Sequence, residues 1–216
     1  MFKFKTVLCG CLVGLMLICL TTAAGAAVIY EQSLSKTDNY GFISNINSDL
    51  SADNFILTGS SLIQSISWYG MYESADENTM DTFDIRIFDL SGTELFSNSG
   101  LVSVSRSDSG FTDVYGATIY MYNVAVADWK LPANEYLFSV SNGNSDYSNW
   151  YWADGVGDGI SYYQDSSSWV AEDLGADMAF TLNGEPAAVP IPGSLLLLGS
   201  ASGVLTAARY RKRPKK

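Results

Sequence analysis

The fold is decided by two stretches, Leu62-Ile63-Gln64-Ser65-Ile66-Ser67-Trp68-Tyr69 and Phe83-Asp84-Ile85-Arg86-Ile87-Phe88. The second alternates strictly between apolar and polar residues until its last position. The first places Leu62, Ile66 and Trp68 in or near one face. A period of two is typical of strands that bury one face. Both stretches are therefore predicted to be β-strands that contribute to a core.

Similar runs occur on both sides of these two stretches. Residues 118–126 and 136–140 alternate in the same way, and weaker candidates lie at 28–34, 53–57, 101–105 and 178–182. Turn-forming residues separate the runs, at 58–60, 89–92, 98–100, 108–110 and 141–144. About ten short strands spaced in this way predict an all-β domain of two packed antiparallel sheets, a β-sandwich or jelly roll.

The charge of the chain is unevenly distributed. All 23 acidic residues lie between Ala27 and Pro186, which gives this region a formal charge of −19. Only four basic residues oppose them there, namely Lys36, Arg86, Arg106 and Lys130. Proteins that bind nucleic acid or anionic lipid headgroups need lysine and arginine to neutralise phosphate. Nucleic acid is therefore excluded as a partner.

The residue inventory also restricts the chemistry. The chain has no histidine, and its three cysteines all lie in the first 26 residues, at Cys9, Cys11 and Cys19. Ser-His-Asp catalysis, thiolate catalysis and most zinc sites are therefore excluded. We expect a non-enzymatic protein without a cofactor, calcium excepted.

The N-terminus has the pattern of a secretory signal peptide. Lys3 and Lys5 precede an apolar run from 7 to 20, and Ala24-Gly25-Ala26 provides a cleavage site before Ala27. Residues 1–26 are therefore predicted to be a signal peptide for the secretion machinery. A lipoprotein signal at Leu8-Cys9-Gly10-Cys11 is the alternative.

The C-terminus has the pattern of a membrane anchor. Residues 191–208 carry no charge, and a basic tail follows at 209–216. A helix of this length is near the lower limit for crossing about 30 Å of hydrocarbon. The basic side chains are expected to act as the membrane stop on the cytoplasmic side, with Arg209, Arg211, Lys212 and Arg213 nearest the membrane. A buried core helix is the alternative.

The β-domain is predicted at 27–184, and a linker at 185–188.

The residues before this helix complete a recognisable pattern. Val189-Pro190-Ile191-Pro192, the apolar span and the basic end together resemble the PEP-CTERM sorting signal of Gram-negative bacteria. Val189, Pro190 and Pro192 match the motif, and Ile191 stands where glutamate is commonest. Many exported proteins of this family also carry strands similar to 52–55, 63–68 and 83–88 with Gly92.

This resemblance implies a location and a role. An exosortase-type enzyme would cut near 189–192, so that an inner-membrane intermediate gives a cell-surface or extracellular protein. A non-enzymatic structural or interaction role, associated with exopolysaccharide or biofilm, is implied in the same way. A permanently anchored protein facing the periplasm is the alternative, and a carbohydrate-binding or adhesive module is the first rival function.

An aromatic cluster is the first candidate site. Six rings fall within 20 residues: Trp150, Tyr151, Trp152, Tyr162, Tyr163 and Trp169. Aromatic rings beside acidic residues are typical of sugar sites, so all but Tyr151 are candidate glycan-stacking residues. Alternation along a strand is expected to place Trp150 and Trp152 on one face and Tyr151 on the other. Core packing is the expectation for at least half of the rings.

Acidic loops provide the second candidate site. Asn142, Asn144 and Asp146 alternate oxygen ligands as a calcium loop does, although Tyr147 stands where an EF-hand requires glycine. Asp154 and Asp158, in a glycine-rich loop, are further candidate calcium ligands, and turn formation alone is the alternative. An extracellular glycoside hydrolase would need two carboxylates flanking a cleft. Nothing in the spacing of the acidic residues between 146 and 177 selects such a pair.

Overall fold

A computed structural model of the protein describes residues 26–36, 39–46, 50–73, 81–101, 104–143, 149–166, 168–173 and 175–187. The predicted sorting motif Val189–Pro192, the predicted helix 191–208, the basic tail and residues 1–25 of the predicted signal peptide lie outside these ranges. The described part contains no helix, and so none long and apolar enough to cross a membrane.

The described chain is all-β, as predicted, and its named strands pair antiparallel. In chain order they are β1 (Ala27–Leu34), β2 (Gly41–Ile43), β3 (Ser51–Leu57), β4 (Ser61–Tyr72), β5 (Phe83–Asp89), β6 (Glu94–Leu101), β7 (Ser105–Thr112), β8 (Thr118–Leu131), β9 (Asn134–Asn142), β10 (Trp150–Val156), β11 (Ile160–Asp165), β12 (Ser168–Asp173), β13 (Asp177–Met178) and β14 (Phe180–Pro186).

The strands form two sheets. The larger has the order β13-β10-β1-β14-β4-β8-β7, with β2 paired to β10, and the smaller has the order β12-β11-β3-β9-β5-β6. Strand β10 also pairs with the end of β4. Because neighbours in the sheets are often distant in the chain, residues from separate segments are brought onto the same face.

The core lies between the two sheets, which gives a β-sandwich-like fold. Trp68 of the larger sheet meets Phe83 of the smaller sheet edge to face, with ring centroids 5.3 Å apart. Phe138 and Trp152 make a second such contact at 5.4 Å, and the Trp152 indole N–H donates to the Ala179 carbonyl at 3.0 Å. Buried aromatic rings contribute large apolar areas, so these contacts hold the sheets together.

Bulges account for three differences from the predicted strands and turns. The predicted turns at 98–100 and 108–110 lie inside β6 and β7, where the register shifts and Gly100 and Gly110 adopt positive φ. A bulge needs the same permissive glycine that a turn needs, so the sequence signal is shared. A shift between Ile63 and Ser65 likewise makes Ile63, and not Leu62, the fully buried residue.

The last strand extends beyond the predicted domain end. Strand β14 continues through Pro186, two residues into the predicted linker, by pairing Glu185 with Leu62. At Gly184 a Cβ atom would lie 1.9 Å from the Leu62 carbonyl oxygen, so this close approach requires glycine.

The outer face of the larger sheet carries its own apolar cluster. It consists of Leu34, Met71, Ile119, Ala153 and Ala179, with Tyr69 and Tyr151 packed against it. This face therefore presents aromatic side chains on the side opposite the core.

Candidate tyrosine groove

A groove lies on this outer face, where β2, β4 and β10 meet the turn between β7 and β8. Its volume is about 680 Å³, and its lining residues are Tyr40, Gly41, Met71, Tyr72, Glu73, Asp113, Tyr115, Gly116, Ala117 and Tyr151. Ligand pockets in proteins typically have volumes of about 300–1,000 Å³. We name this feature the tyrosine groove, because four of its lining residues are tyrosines.

Strand alternation positions Tyr151. Its neighbours Trp150 and Trp152 are both 0% exposed and point into the core, so Tyr151 points to the opposite face. Tyr40 lies just before β2, and its backbone N–H donates to Asp154 Oδ2 at 3.0 Å. The Tyr40 carbonyl accepts the Asp154 N–H at 3.1 Å, and the Tyr40 side chain is 54% exposed. These two bonds hold the backbone of Tyr40 at the wall of the groove.

A tight turn positions Tyr115. Asp113 Oδ1 accepts the backbone N–H groups of Tyr115 at 2.9 Å and of Ala117 at 2.6 Å. Gly116 has a φ of 88°, which glycine adopts without strain. The Val114 N–H donates to the Asn39 carbonyl at 3.2 Å, and so joins this turn to the segment that precedes β2. The turn is therefore fixed, although the Tyr115 ring is 85% exposed.

The fourth tyrosine differs from the others. Tyr72 is buried, its hydroxyl donates to Asp81 Oδ1, and it accepts Asn142 Nδ2 at 2.8 Å. Burial, the nearby Tyr122 and the bond to Asp81 raise the pKa of Tyr72 above its usual range. Next to it, exposed Glu73 accepts Asn149 Nδ2 at 3.0 Å. The Tyr72 ring therefore belongs to the core between the sheets, whereas exposed Glu73 lies at the rim of the groove.

The chemistry of the groove is aromatic and acidic. Flat rings are available for stacking, and the Glu73 and Asp113 carboxylates can accept hydrogen bonds from hydroxyl or amino groups. None of the lining residues is basic. This combination suits recognition of a sugar, whose ring faces are apolar and whose rim is polar.

The structure separates the predicted glycan-stacking residues. Full burial removes Trp150 and Trp152 from any sugar-binding surface, which corrects that prediction. Tyr162 and Trp169 are half-buried against Phe88 on the outer face of the smaller sheet, with the Trp169 and Phe88 centroids 5.2 Å apart. Tyr163 is 38% exposed. Of the predicted features of this cluster, only the outward orientation of Tyr151 identifies a groove residue. Tyr40 and Tyr115, which also line the groove, carry no sequence signal that predicts a site.

A second polar cluster joins the two sheets. Asp53 of β3 is 0% exposed. Its Oδ1 accepts the Asn54 N–H at 2.7 Å, and its Oδ2 accepts the Met178 N–H of the opposite sheet. The Gln32 amide nitrogen, in the orientation that satisfies its surroundings, donates to Asp53 Oδ2 at 3.1 Å and to the Met178 carbonyl at 2.9 Å.

Two further carboxylates belong to this cluster. Asp177 Oδ1 accepts the Gly159 N–H at 2.9 Å, and Asp158 Oδ2 accepts Asn54 Nδ2 at 3.1 Å. Burial raises the pKa of Asp53 to about 8, and the charges of Asp177 and Asp158 act in the same direction. Burial also raises the pKa of Asp177, and that of Asp154 to about 6. At neutral pH, Asp53 is therefore expected to keep a proton that an exposed aspartate would release.

The three predicted calcium ligands that the structure describes each have a different hydrogen-bond partner. Asn142 is buried beside Tyr72, Asp154 accepts the Tyr40 N–H, and Asp158 accepts Asn54 Nδ2. Asn144 and Asp146 lie outside the described residues. Among the residues that the structure describes, no group of three acidic, histidine or cysteine side chains is arranged to hold a metal ion. Calcium binding stays a prediction from the sequence.

The chain matches no protein-family model and no curated protein.

Proposed function

We propose that the protein is an exported, non-enzymatic component of the cell surface or extracellular matrix that holds an exopolysaccharide in the tyrosine groove. The β-domain, whose jelly-roll class is part of the proposal, would be the binding module. The sequence patterns at the two termini support export and exosortase-type sorting. The groove supports the interaction role.

The observation that carries the proposal is the convergence of three exposed or half-exposed rings on one groove. Tyr40, Tyr115 and Tyr151 come from three separate segments, and the fold places all three around the same volume. The backbone bonds of Asp113 and Asp154 fix two of these segments without a ligand. A site that is already ordered loses less entropy when it binds, which favours a specific interaction.

The test compares two tyrosines on opposite sheets. Tyr115→Ala removes a groove ring that is 85% exposed, and Tyr163→Ala removes a ring of the smaller sheet that is 38% exposed. The full chain in detergent is titrated with polysaccharide from the matrix of its native host. Loss of one stacking contact is expected to weaken binding about tenfold for Tyr115→Ala. Tyr163→Ala is expected to leave affinity unchanged.

Urea unfolding of both variants provides the control. Tyr115 is almost fully exposed, so Tyr115→Ala is expected to unfold within about 0.5 kcal/mol of the wild type. Tyr163→Ala also loses partly buried apolar area, so it is expected to cost about 1 kcal/mol. Unchanged affinity in Tyr115→Ala, with unchanged stability, would contradict the proposal. Weakened binding in Tyr163→Ala alone would instead indicate that the glycan binds on the smaller sheet.

A further inference from the structure

We infer that the tyrosine groove selects glycans that carry protonated amino groups, such as glucosamine polymers, over neutral or uronic-acid polymers. The inference rests on the proposed function and names the chemical class of its ligand. It follows from the charges that line the groove and from those that the fold places elsewhere.

Two carboxylates line the groove, those of Glu73 and Asp113. Glu73 is exposed at the rim. Asp113 is half-buried in the turn, and the two backbone N–H groups that donate to its carboxylate both bond to Oδ1. Among the described residues, no donor bonds to Asp113 Oδ2. A protonated amine supplies several N–H donors and a positive charge, so it complements both carboxylates.

The basic residues of the β-domain lie outside the groove. Arg86 pairs with Asp84 at 3.0 Å in the smaller sheet. Arg106 pairs with Asp81 at 3.2 Å and lies 4.6 Å from the centre of the Tyr120 ring. Lys36 lines a second, smaller cavity together with Glu31 and Asp108, and Lys130 pairs across the sheet with Leu62. A uronic-acid polymer would therefore meet negative charge in the groove without a compensating base.

The tyrosine rings favour the same ligand. The face of an aromatic ring carries partial negative charge and attracts an ammonium group that lies over it. Tyr40 and Tyr115 line the groove with rings that are 54% and 85% exposed. Stacking and charge therefore act together on an amino sugar, whereas a neutral sugar gains from stacking alone.

Three hexasaccharides of equal length test the inference. The full chain is titrated calorimetrically with a glucosamine hexamer, an N-acetylglucosamine hexamer and a galacturonate hexamer at about pH 6, where amines of this type are protonated. The glucosamine hexamer is expected to bind about tenfold more tightly than the acetylated one. Galacturonate is expected not to bind, and added salt is expected to reduce the preference.

A matched pair of double variants separates the groove from the overall charge. Glu73→Gln with Asp113→Asn removes two charges from the groove but keeps the oxygen that each residue uses as an acceptor. Glu172→Gln with Asp173→Asn removes two charges from β12 in the smaller sheet. The first pair is expected to abolish the tenfold preference, and the second to preserve it.

Each alternative result has a distinct meaning. Equal binding of the acetylated and free hexamers would overturn the charge inference and leave the proposed glycan function intact. An equal loss of the preference for the glucosamine hexamer in both double variants would overturn the charge inference as well, because overall charge would then explain that preference. Binding of none of the hexamers would overturn both the inference and, for these sugars, the proposed function.

Discussion

The buried Asp53 makes a quantitative prediction about pH. This carboxyl lies between the sheets, next to the charges of Asp177 and Asp158 and near the Tyr30 ring, and no basic side chain of the described residues bonds to it. Burial raises its pKa from 3.8 to about 8. We therefore expect the folded protein to hold a proton here that the unfolded chain has released.

The direction of the effect follows from this difference in bound protons. Below about pH 4 both states are protonated at Asp53, and its stabilising contribution is fully present. As the pH rises towards 8, the folded state binds one more proton than the unfolded state, so the free energy of unfolding falls by about 1.4 kcal/mol per pH unit. Above the folded pKa of about 8 the stabilising contribution of Asp53 is lost, and this group no longer makes the unfolding free energy depend on pH.

The window from pH 6 to 8 isolates this group best. Asp154, whose pKa is raised to about 6 by burial, contributes its slope at lower pH. Across the window the wild type is expected to lose about 2 kcal/mol of unfolding free energy through Asp53, because the carboxyl is already half ionised at pH 8.

The variant Asp53→Asn tests the prediction, since asparagine does not titrate. Urea unfolding at several values between pH 5 and 9 measures the slope for the wild type, for Asp53→Asn and for the exposed control Asp173→Asn. The amide group that replaces the carboxyl would face a backbone donor, so Asp53→Asn is expected to be less stable at pH 5 by about 1–3 kcal/mol. It is also expected to be nearly independent of pH between 6 and 8. A slope in Asp53→Asn equal to that of the wild type would refute the reasoning.

Two further predictions concern packing and processing. Gly70→Ala would place a Cβ atom 2.2 Å from the buried Trp150 ring, so it is expected to lower the free energy of unfolding in urea by about 1–3 kcal/mol. At Gly59 a Cβ atom would meet open space, so Gly59→Ala is expected to change this free energy by less than about 0.5 kcal/mol. Equal effects of the two substitutions would contradict the close packing at Gly70. Protein recovered from its native host is expected to begin at Ala27 and to end near 189–192, which intact mass with terminal peptide mapping checks. A species that keeps the basic tail would instead indicate a plain membrane anchor.

The sequence predicted the strands well where alternation is uninterrupted. Phe83, Ile85 and Ile87 all point into the core, as their spacing requires, and Phe88 packs on the outer face. Period-two alternation reports the two faces of a sheet directly, so these residues needed no tertiary information. The prediction failed at Leu62, where a bulge shifts the alternation by one residue.

Glycine signals were harder to interpret. Gly92 and Gly100 both have positive φ, yet the first lies in a turn between strands and the second lies inside β6. Local sequence indicates that the backbone adopts an unusual conformation, but not whether a partner strand continues beside it. That information resides in the pairing of β5 with β6, which no single segment encodes.

The groove could be predicted only in part for a related reason. Alternation correctly separates Tyr151 from Trp150 and Trp152, because all three lie on one strand. Tyr40 and Tyr115 are distant from them in the chain, and each stands alone beside a glycine. The order of strands in the larger sheet brings them together, and that order is a property of the whole fold.

One structural rule therefore accounts for both the core and the candidate site. In β10 the tryptophans at alternate positions close the space between the sheets, and the tyrosine between them faces outward. A cluster of rings in a strand sequence thus divides into residues that stabilise the fold and residues that can meet a ligand. The exposed members of such a cluster identify the face to test, and here that face contains Tyr151 and the acidic rim of Glu73 and Asp113.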